Sequence, residues 1–208
     1  MLEQLIKIFV VLFVVVEPLS LVPMFGALTR GGSERYRRKM ALKSTFLATI
    51  ILLVFALSGN WFLAAMGITL DAFKIAGGLL LFMISLDMVF ARQSGVRSTT
   101  VREQEEARYK EDISVFPLAF PLIAGPGAMA TLLLLVGEVQ GDPLMFAGLL
   151  GILLFVLALT LLFMLLTPLV MRVLGVTGAN VISRLLGVVL VALSVQYVVD
   201  GVKGSFGL

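Results

Sequence analysis

Long apolar stretches separated by short polar ones run the length of this 208-residue chain. The apolar residues follow one another without the two-residue alternation of a membrane β-strand, and the runs are as long as a bilayer is thick. The pattern therefore predicts membrane-spanning helices. Six are expected, near residues 5–28, 45–67, 72–91, 113–136, 144–170 and 182–203. The extended polar stretch 92–112 leaves three spans on either side. It is read as a linker, within which Arg102-Glu103-Gln104-Glu105-Glu106-Ala107-Arg108 has the close acid–base spacing of a short exposed helix. The first span resembles a signal peptide in length, but it lacks a basic leading region and a small-residue cleavage pattern. It is expected to be retained.

Two of the six spans are interrupted. Glu17 sits near the middle of the first, followed by Pro18 and Pro23, and the fourth carries Pro121 and Pro126 with the same four-residue interval. Proline lacks an N–H and clashes with the preceding turn, so neither span is expected to be one continuous helix. Lipid tolerates neither a charge nor broken backbone on its own face, so both breaks should line a cavity or the protein interior.

Composition agrees with this membrane reading and removes several function classes. The chain is 60% hydrophobic with a mean hydropathy of +1.08, far from a soluble domain. It has no cysteine and no histidine. Thiolate metal sites, cysteine nucleophiles and the usual base for a serine nucleophile are thereby excluded, and no enzymatic activity or cofactor is expected. Nor does the chain contain a phosphate-binding loop for direct ATP drive.

Charge sets the orientation. Arg30, Arg35, Arg37, Arg38, Lys39 and Lys43 lie between spans one and two. Arg92, Arg97, Arg102, Arg108 and Lys110 lie between three and four, and Arg172 and Arg184 between five and six. The opposite side has only Lys7, Lys74 and Lys203. By the positive-inside rule the crowded side faces the cytoplasm and both termini face outward.

The two halves resemble each other. One offset superposes Pro18 and Pro23 on Pro121 and Pro126. A slightly longer one superposes Gly78, Ser85 and Asp87 of span three on Gly187, Ser194 and Gln196 of span six. An odd number of spans per half makes the second copy enter the membrane from the opposite side, an arrangement common in secondary transporters. The expected fold is an all-α polytopic membrane protein: six transmembrane helices in a 3+3 inverted repeat, with broken first and fourth helices. The chain 1–208 then forms a single membrane domain, with repeat one about 1–91, a linker about 92–112 and repeat two about 113–208.

A broken helix exposes N–H groups at the start of its second half, where its dipole favours an anion. In the second copy this point reads Gly125-Pro126-Gly127-Ala128, and the two glycines let a ligand approach the backbone. An amino group would find acceptors in freed carbonyls or in Glu17. A small zwitterion satisfies both needs.

These stretches resemble the MarC family of bacterial and archaeal membrane proteins, which includes the archaeal small neutral amino acid transporter SnatA. The resemblance rests on Glu17-Pro18 through Pro23, Ile75-Ala76-Gly77-Gly78, Pro117-Leu118-Ala119-Phe120-Pro121-Leu122, Ala124-Gly125-Pro126-Gly127 and Ser183-Arg184-Leu185-Leu186-Gly187, completed by Gln196-Tyr197 and Asp200-Gly201. It covers essentially the whole chain. It implies transport of small neutral amino acids such as glycine and alanine across the cytoplasmic membrane, coupled to protons or to sodium, with a substrate site near the breaks. The chain departs from the family at Glu17, usually Asp or Asn, and at Ser20, usually Gly. Those differences bear on cavity width and substrate. Other readings are export or transport of another small solute, and a membrane assembly factor without transport activity.

The candidate substrate-binding residues are Glu17, Pro18, Ser20, Leu21, Gly125, Pro126, Gly127, Ala128 and Gln196. Glu17 and Asp87 are the candidates for proton coupling, because an ionisable group inside a membrane span is a functional candidate by default. Each has a plainer alternative. Glu17 could cap the half-helix, Asp87 could pair with Arg92 or Arg184, and Gln196, i,i+4 from Asp200 on one face, could hold the two halves together. Lys74 is expected to snorkel. Gly187, Ser194 and Gly201, like Gly78 and Ser85, recur every seven residues and read as a packing stripe. Trp61 reads as an interfacial anchor. A reporter that is active only in the cytoplasm is expected to stay silent when fused at Leu208 and to light up within 92–112; a signal from Leu208 would reverse the orientation.

Overall fold

A computed structural model describes residues 1–90 and 112–207, and among these every regular element is helical. The linker, its short acid–base helix and the pairing of Asp87 with Arg92 lie outside the described residues. The elements are α1 (Leu2–Val16), α2 (Pro18–Leu28), α3 (Glu34–Ala65), α4 (Leu70–Phe90), α5 (Ser114–Ile123), α6 (Pro126–Glu138), α7 (Pro143–Leu165) and α8 (Thr167–Phe206). Five stretches are long and apolar enough to cross a bilayer, with α1 and α2 together forming one of them. The pair α5 and α6, bent by 52° at its break, makes a sixth.

The first span breaks at Glu17, a non-glycine residue with φ 51° and ψ 59°. Pro18 follows as the first residue of α2, where its missing N–H is no loss. Pro23, expected to break the helix as well, is carried inside α2 without interruption. One proline at the first turn is sufficient to part the helices, and the second only removes a hydrogen bond from a helix already begun.

The fourth span breaks differently. Phe116 (φ −129°, ψ 125°) and Phe120 (φ −131°, ψ 131°) are extended, each immediately before a proline, where the ring excludes helical geometry. The turns of α5 are wide, with Leu118 N–H donating to Ile113 O at 3.3 Å and Ala124 N–H to Ala119 O at 2.8 Å. Phe120 is the position that the sequence offset pairs with Glu17, and the backbone leaves helical geometry at both. The fourth span then breaks again at Ala124 and Gly125, with Pro126 opening α6.

Two spans differ in extent from the sequence reading. Helix α3 starts at Glu34 rather than near residue 45, because Ser33 caps it by accepting from Tyr36 N–H at 3.2 Å. The polar turns that follow continue the helix beyond its apolar part. Helix α8 starts at Thr167, ahead of the expected 182, with Pro168 in its first turn and a kink at Gly175 (φ 61°, ψ −178°).

Helix α6 forms the centre. Thr131, Leu132, Leu133, Leu134, Leu135 and Val136 are all buried, and α1, α3, α4 and α7 pack around it. A helix buried on every face is apolar all round, which is why its sequence shows no polar stripe. At one end of α6 Lys7 pairs with Glu138 at 2.9 Å.

The antiparallel pair α4 and α8 makes the closest seam. A Cβ on Gly78 would sit 2.8 Å from the Ser194 carbonyl oxygen, and one on Gly187 would sit 3.2 Å from that of Ser85. The contacts are reciprocal: each glycine meets the serine of the other helix. Both serines donate to their own helix, Ser85 to Phe82 O at 2.8 Å and Ser194 to Val191 O at 2.7 Å, so each hydroxyl proton is already used. Gly201 continues the seam against the Asp71 carbonyl oxygen. Replacing Gly78 with Ala should destabilise the protein by roughly 1–3 kcal/mol, since backbone cannot retreat as a side chain can. Gly151, with open space around its Cβ position, should accept Ala without loss. Thermal unfolding in detergent micelles compares the two, and equal midpoints would remove the seam's importance.

Candidate functional site

A small internal crevice lies at the second break, with the end of α1 on its wall. Its walls are Val15 from α1, Leu81 and Ile84 from α4, Leu122 and Ile123 from α5, Gly125 to Ala128 at the start of α6, and Leu190 from α8. Its free volume is about 10 Å³, roughly what one water molecule needs. The crevice is closed to anything larger.

Its polar character comes from the backbone. Gly125 precedes α6 with no side-chain cap, and Pro126 has no N–H to offer. The first bond onto Gly125 O is from Met129 N–H, at 3.0 Å, so the N–H groups of Gly127 and Ala128 are not used within the helix. A Cβ on Gly125 would strike the Pro121 carbonyl oxygen, and one on Gly127 would come within 2.7 Å of Ile84. Gly125 is therefore required by backbone contact, whereas at Gly127 the end of the Ile84 side chain would have to shift.

Glu17 is buried, 5% exposed, and receives a hydrogen bond from Ser183 Oγ at 3.4 Å. Its backbone carbonyl accepts from Ser20 N–H at 3.1 Å and Leu21 N–H at 3.3 Å, holding the first turn of α2. Ser20 Oγ is buried without a hydrogen-bond partner, as is Thr131 Oγ1 one turn beyond Ala128. Pro18 and Leu21 are buried beside them. None of these residues from the first break lines the crevice, which Val15 reaches in their place.

The remaining candidates lie elsewhere. Gln196 is exposed on α8 and donates to Asp200 Oδ1 at 2.7 Å, the i,i+4 pair its spacing allows. Asp87 is half-buried, and among the described residues Arg184 makes no ion pair with it. Lys74 does not snorkel alone; it pairs with Asp71 at 2.8 Å, and this acid in the first turn of α4 supplies the compensation that the helix pole requires. Sequence reasoning placed Ser183 only within the family motif, with no role at Glu17, and it missed Thr131. Ser183 lies far from Glu17 in the chain, and Thr131 is marked only by falling three residues after Ala128.

A profile described as MarC family integral membrane protein matches residues 2–206. The chain is 38% identical to the UPF0056 membrane protein MJ1677 of Methanocaldococcus jannaschii, over 98% of both proteins. It is 36% identical to the UPF0056 membrane protein YvbG of Bacillus subtilis, over 99% of this chain and 97% of that one. The chain belongs to the MarC family. YhcE of Escherichia coli is a further relative at 35% identity, over 96% of this chain and 92% of that protein. MarC relatives thus span bacteria and archaea, and their names state membrane residence without a substrate. No solved structure matches the chain.

The start of α5 in this MarC protein is pinned from outside the span. Asp112 pairs with Lys43 of α3, accepts from Ser114 N–H at 3.0 Å and from Ser114 Oγ at 2.5 Å. The Lys43 ammonium, with the two Ser114 donors, holds the Asp112 carboxyl at about 2 instead of its usual 3.8. A depressed carboxylate contributes stability that is complete above its ordinary value and lost as pH falls through the lowered one. The pair is therefore intact at any pH above about 4. Both side chains are two-fifths exposed, so the pair contributes ~0–1 kcal/mol. Lys43→Gln should move the Asp112 midpoint upward from about 2 towards 3.8, read from its side-chain carbonyl by NMR; an unmoved midpoint would assign the shift to Ser114 instead.

Proposed function

We propose that this MarC protein is a secondary transporter of small neutral amino acids such as glycine and alanine, coupled to protons and built as an inverted pair of three-span repeats. The observation that carries this reading is a closed crevice at the start of α6, with unused N–H groups on its wall and with Val15 there only two residues from the buried Glu17. The substrate carboxylate suits the N–H groups of Gly127 and Ala128 at the positive pole of α6. Its ammonium suits acceptors near the first break, of which Glu17 is the charged one.

The closed crevice represents the occluded stage of alternating access. Opening it on one side and then the other would move the broken helix of each half against the α4–α8 seam. The reciprocal Gly78–Ser194 and Gly187–Ser85 contacts are what a pseudo-twofold axis between α4 and α8 would produce, and they support the inverted repeat. With Glu17 as the proton carrier, only the first break titrates, because Phe120 stands at the matching place. The protein then sits in the cytoplasmic membrane with both termini outside.

One observation favours a different small solute. Ser20 replaces the family's usual glycine, and its buried Oγ has no partner. A ligand bearing one more hydrogen-bonding group would satisfy it, and glycine or alanine would not.

Uptake of labelled glycine, alanine and serine into proteoliposomes, under imposed proton and sodium gradients in turn, tests both readings. Accumulation driven by the proton gradient is expected. Glu17→Gln should abolish that coupling while leaving helix content and elution profile unchanged. Failure to accumulate any small amino acid under either gradient would defeat the proposal, and a sodium response would reassign the coupling ion.

A further inference from the structure

The outward face of α3 changes character sharply along its length. Arg35, Arg38, Lys39, Leu42, Lys43 and Phe46 line one shallow groove at its start, with Leu42 45% and Phe46 66% exposed. Beyond them the same face is apolar, through Ile50, Val54 and Leu57 to Trp61, which is 73% exposed. From Lys43 to Trp61 the helix rises about 27 Å, close to the ~30 Å hydrocarbon thickness of a bilayer. This fit places Lys43 at one edge of the hydrocarbon and Trp61 at the other. Arg38, Lys39 and Arg35 then project roughly 6–12 Å further, into the headgroup layer and its surface.

We propose that this groove holds an anionic phospholipid, with Arg35, Arg38 and Lys39 on its phosphate and an acyl chain lying along Leu42 and Phe46. Cations alone at a helix end meet the needs of membrane orientation. Here apolar side chains are interleaved with them at helical spacing, so one ligand with a charged head and an apolar tail touches both kinds in register. Guanidinium groups bind phosphate oxygens through paired N–H donors, which a lysine cannot reproduce. Lys43 is already engaged by Asp112, so the phosphate falls to the three cations nearer the helix start. An anionic headgroup fits them and a zwitterionic one does not, because its own cation would face theirs. The inference is independent of what the protein transports.

The test is native mass spectrometry of the purified protein exchanged into nanodiscs containing equal phosphatidylglycerol and phosphatidylcholine. The wild-type protein should retain phosphatidylglycerol over phosphatidylcholine by roughly tenfold. Arg35→Gln with Arg38→Gln should bring the ratio near parity. Phe46→Ala should release the lipid faster while preserving the preference. Inorganic phosphate at millimolar concentration should leave the lipid in place. Equal retention of the two lipids by the wild-type protein would overturn the proposal whatever the variants do. So would full retention by a double variant with normal circular dichroism, displacement by phosphate, or a second copy of the chain in place of lipid.

Discussion

The structure depends on one constraint: backbone broken inside a bilayer has to be enclosed by protein. Hydrocarbon offers no partner for a released N–H or carbonyl, each of which would cost several kcal/mol there. Two of the six spans release such groups, at Glu17 and between Phe116 and Gly125. The other helices are disposed to cover them. Helix α3 lies along α5, α1 and α4 flank α6, and α7 closes against α1, α2 and α3. The wide turns of α5 return part of the lost bonding, and the remaining donors, at Gly127 and Ala128, face the crevice rather than lipid.

The two breaks share a position and differ in chemistry. Backbone leaves the helix at Glu17 and at Phe120, each directly before a proline. The first break places a carboxyl there and resumes the helix at once. The second places an aromatic ring, continues through a wide turn and opens a fresh helix start four residues later. One break therefore supplies a buried acid and the other supplies unpaired N–H groups. This division is what the proposed zwitterionic substrate would use, whereas identical breaks would suit one end of it twice.

The spans were legible in the sequence because lipid imposes a strong one-dimensional signal, and both breaks were legible because proline acts locally. What remained hidden depends on neighbours. Hydropathy marks where a helix enters the hydrocarbon and carries no information on where it starts in water, so the Ser33 cap of α3 and the early start of α8 went unseen. Pro23 carries the same local signal as Pro18 and leaves α2 intact, because the break had already been made five residues earlier. The Lys74 partner was three residues away and overlooked in favour of snorkelling, a choice that only side-chain geometry settles. Ser183 reaches Glu17 across 166 positions of chain, a distance at which one sequence without relatives says nothing.

The packing also restricts how the crevice can enlarge. Its wall on the α4 and α8 side, through Leu81, Ile84 and Leu190, belongs to two helices whose backbones touch at Gly78, Gly187 and Gly201. Helices in such contact cannot slide without driving a carbonyl into a Cα, so this pair moves as one piece or comes apart entirely. The opposite wall is made of Val15, Leu122 and Ile123, all within two residues of a break. There the backbone already lacks the regular bonding that makes a helix stiff. On the transport reading, enlargement from about 10 Å³ to the volume of a small solute would come from the broken helices swinging against the α4–α8 seam. Glu17, with its hydrogen bond from Ser183 of α8, ties the first broken helix to the helix of that seam.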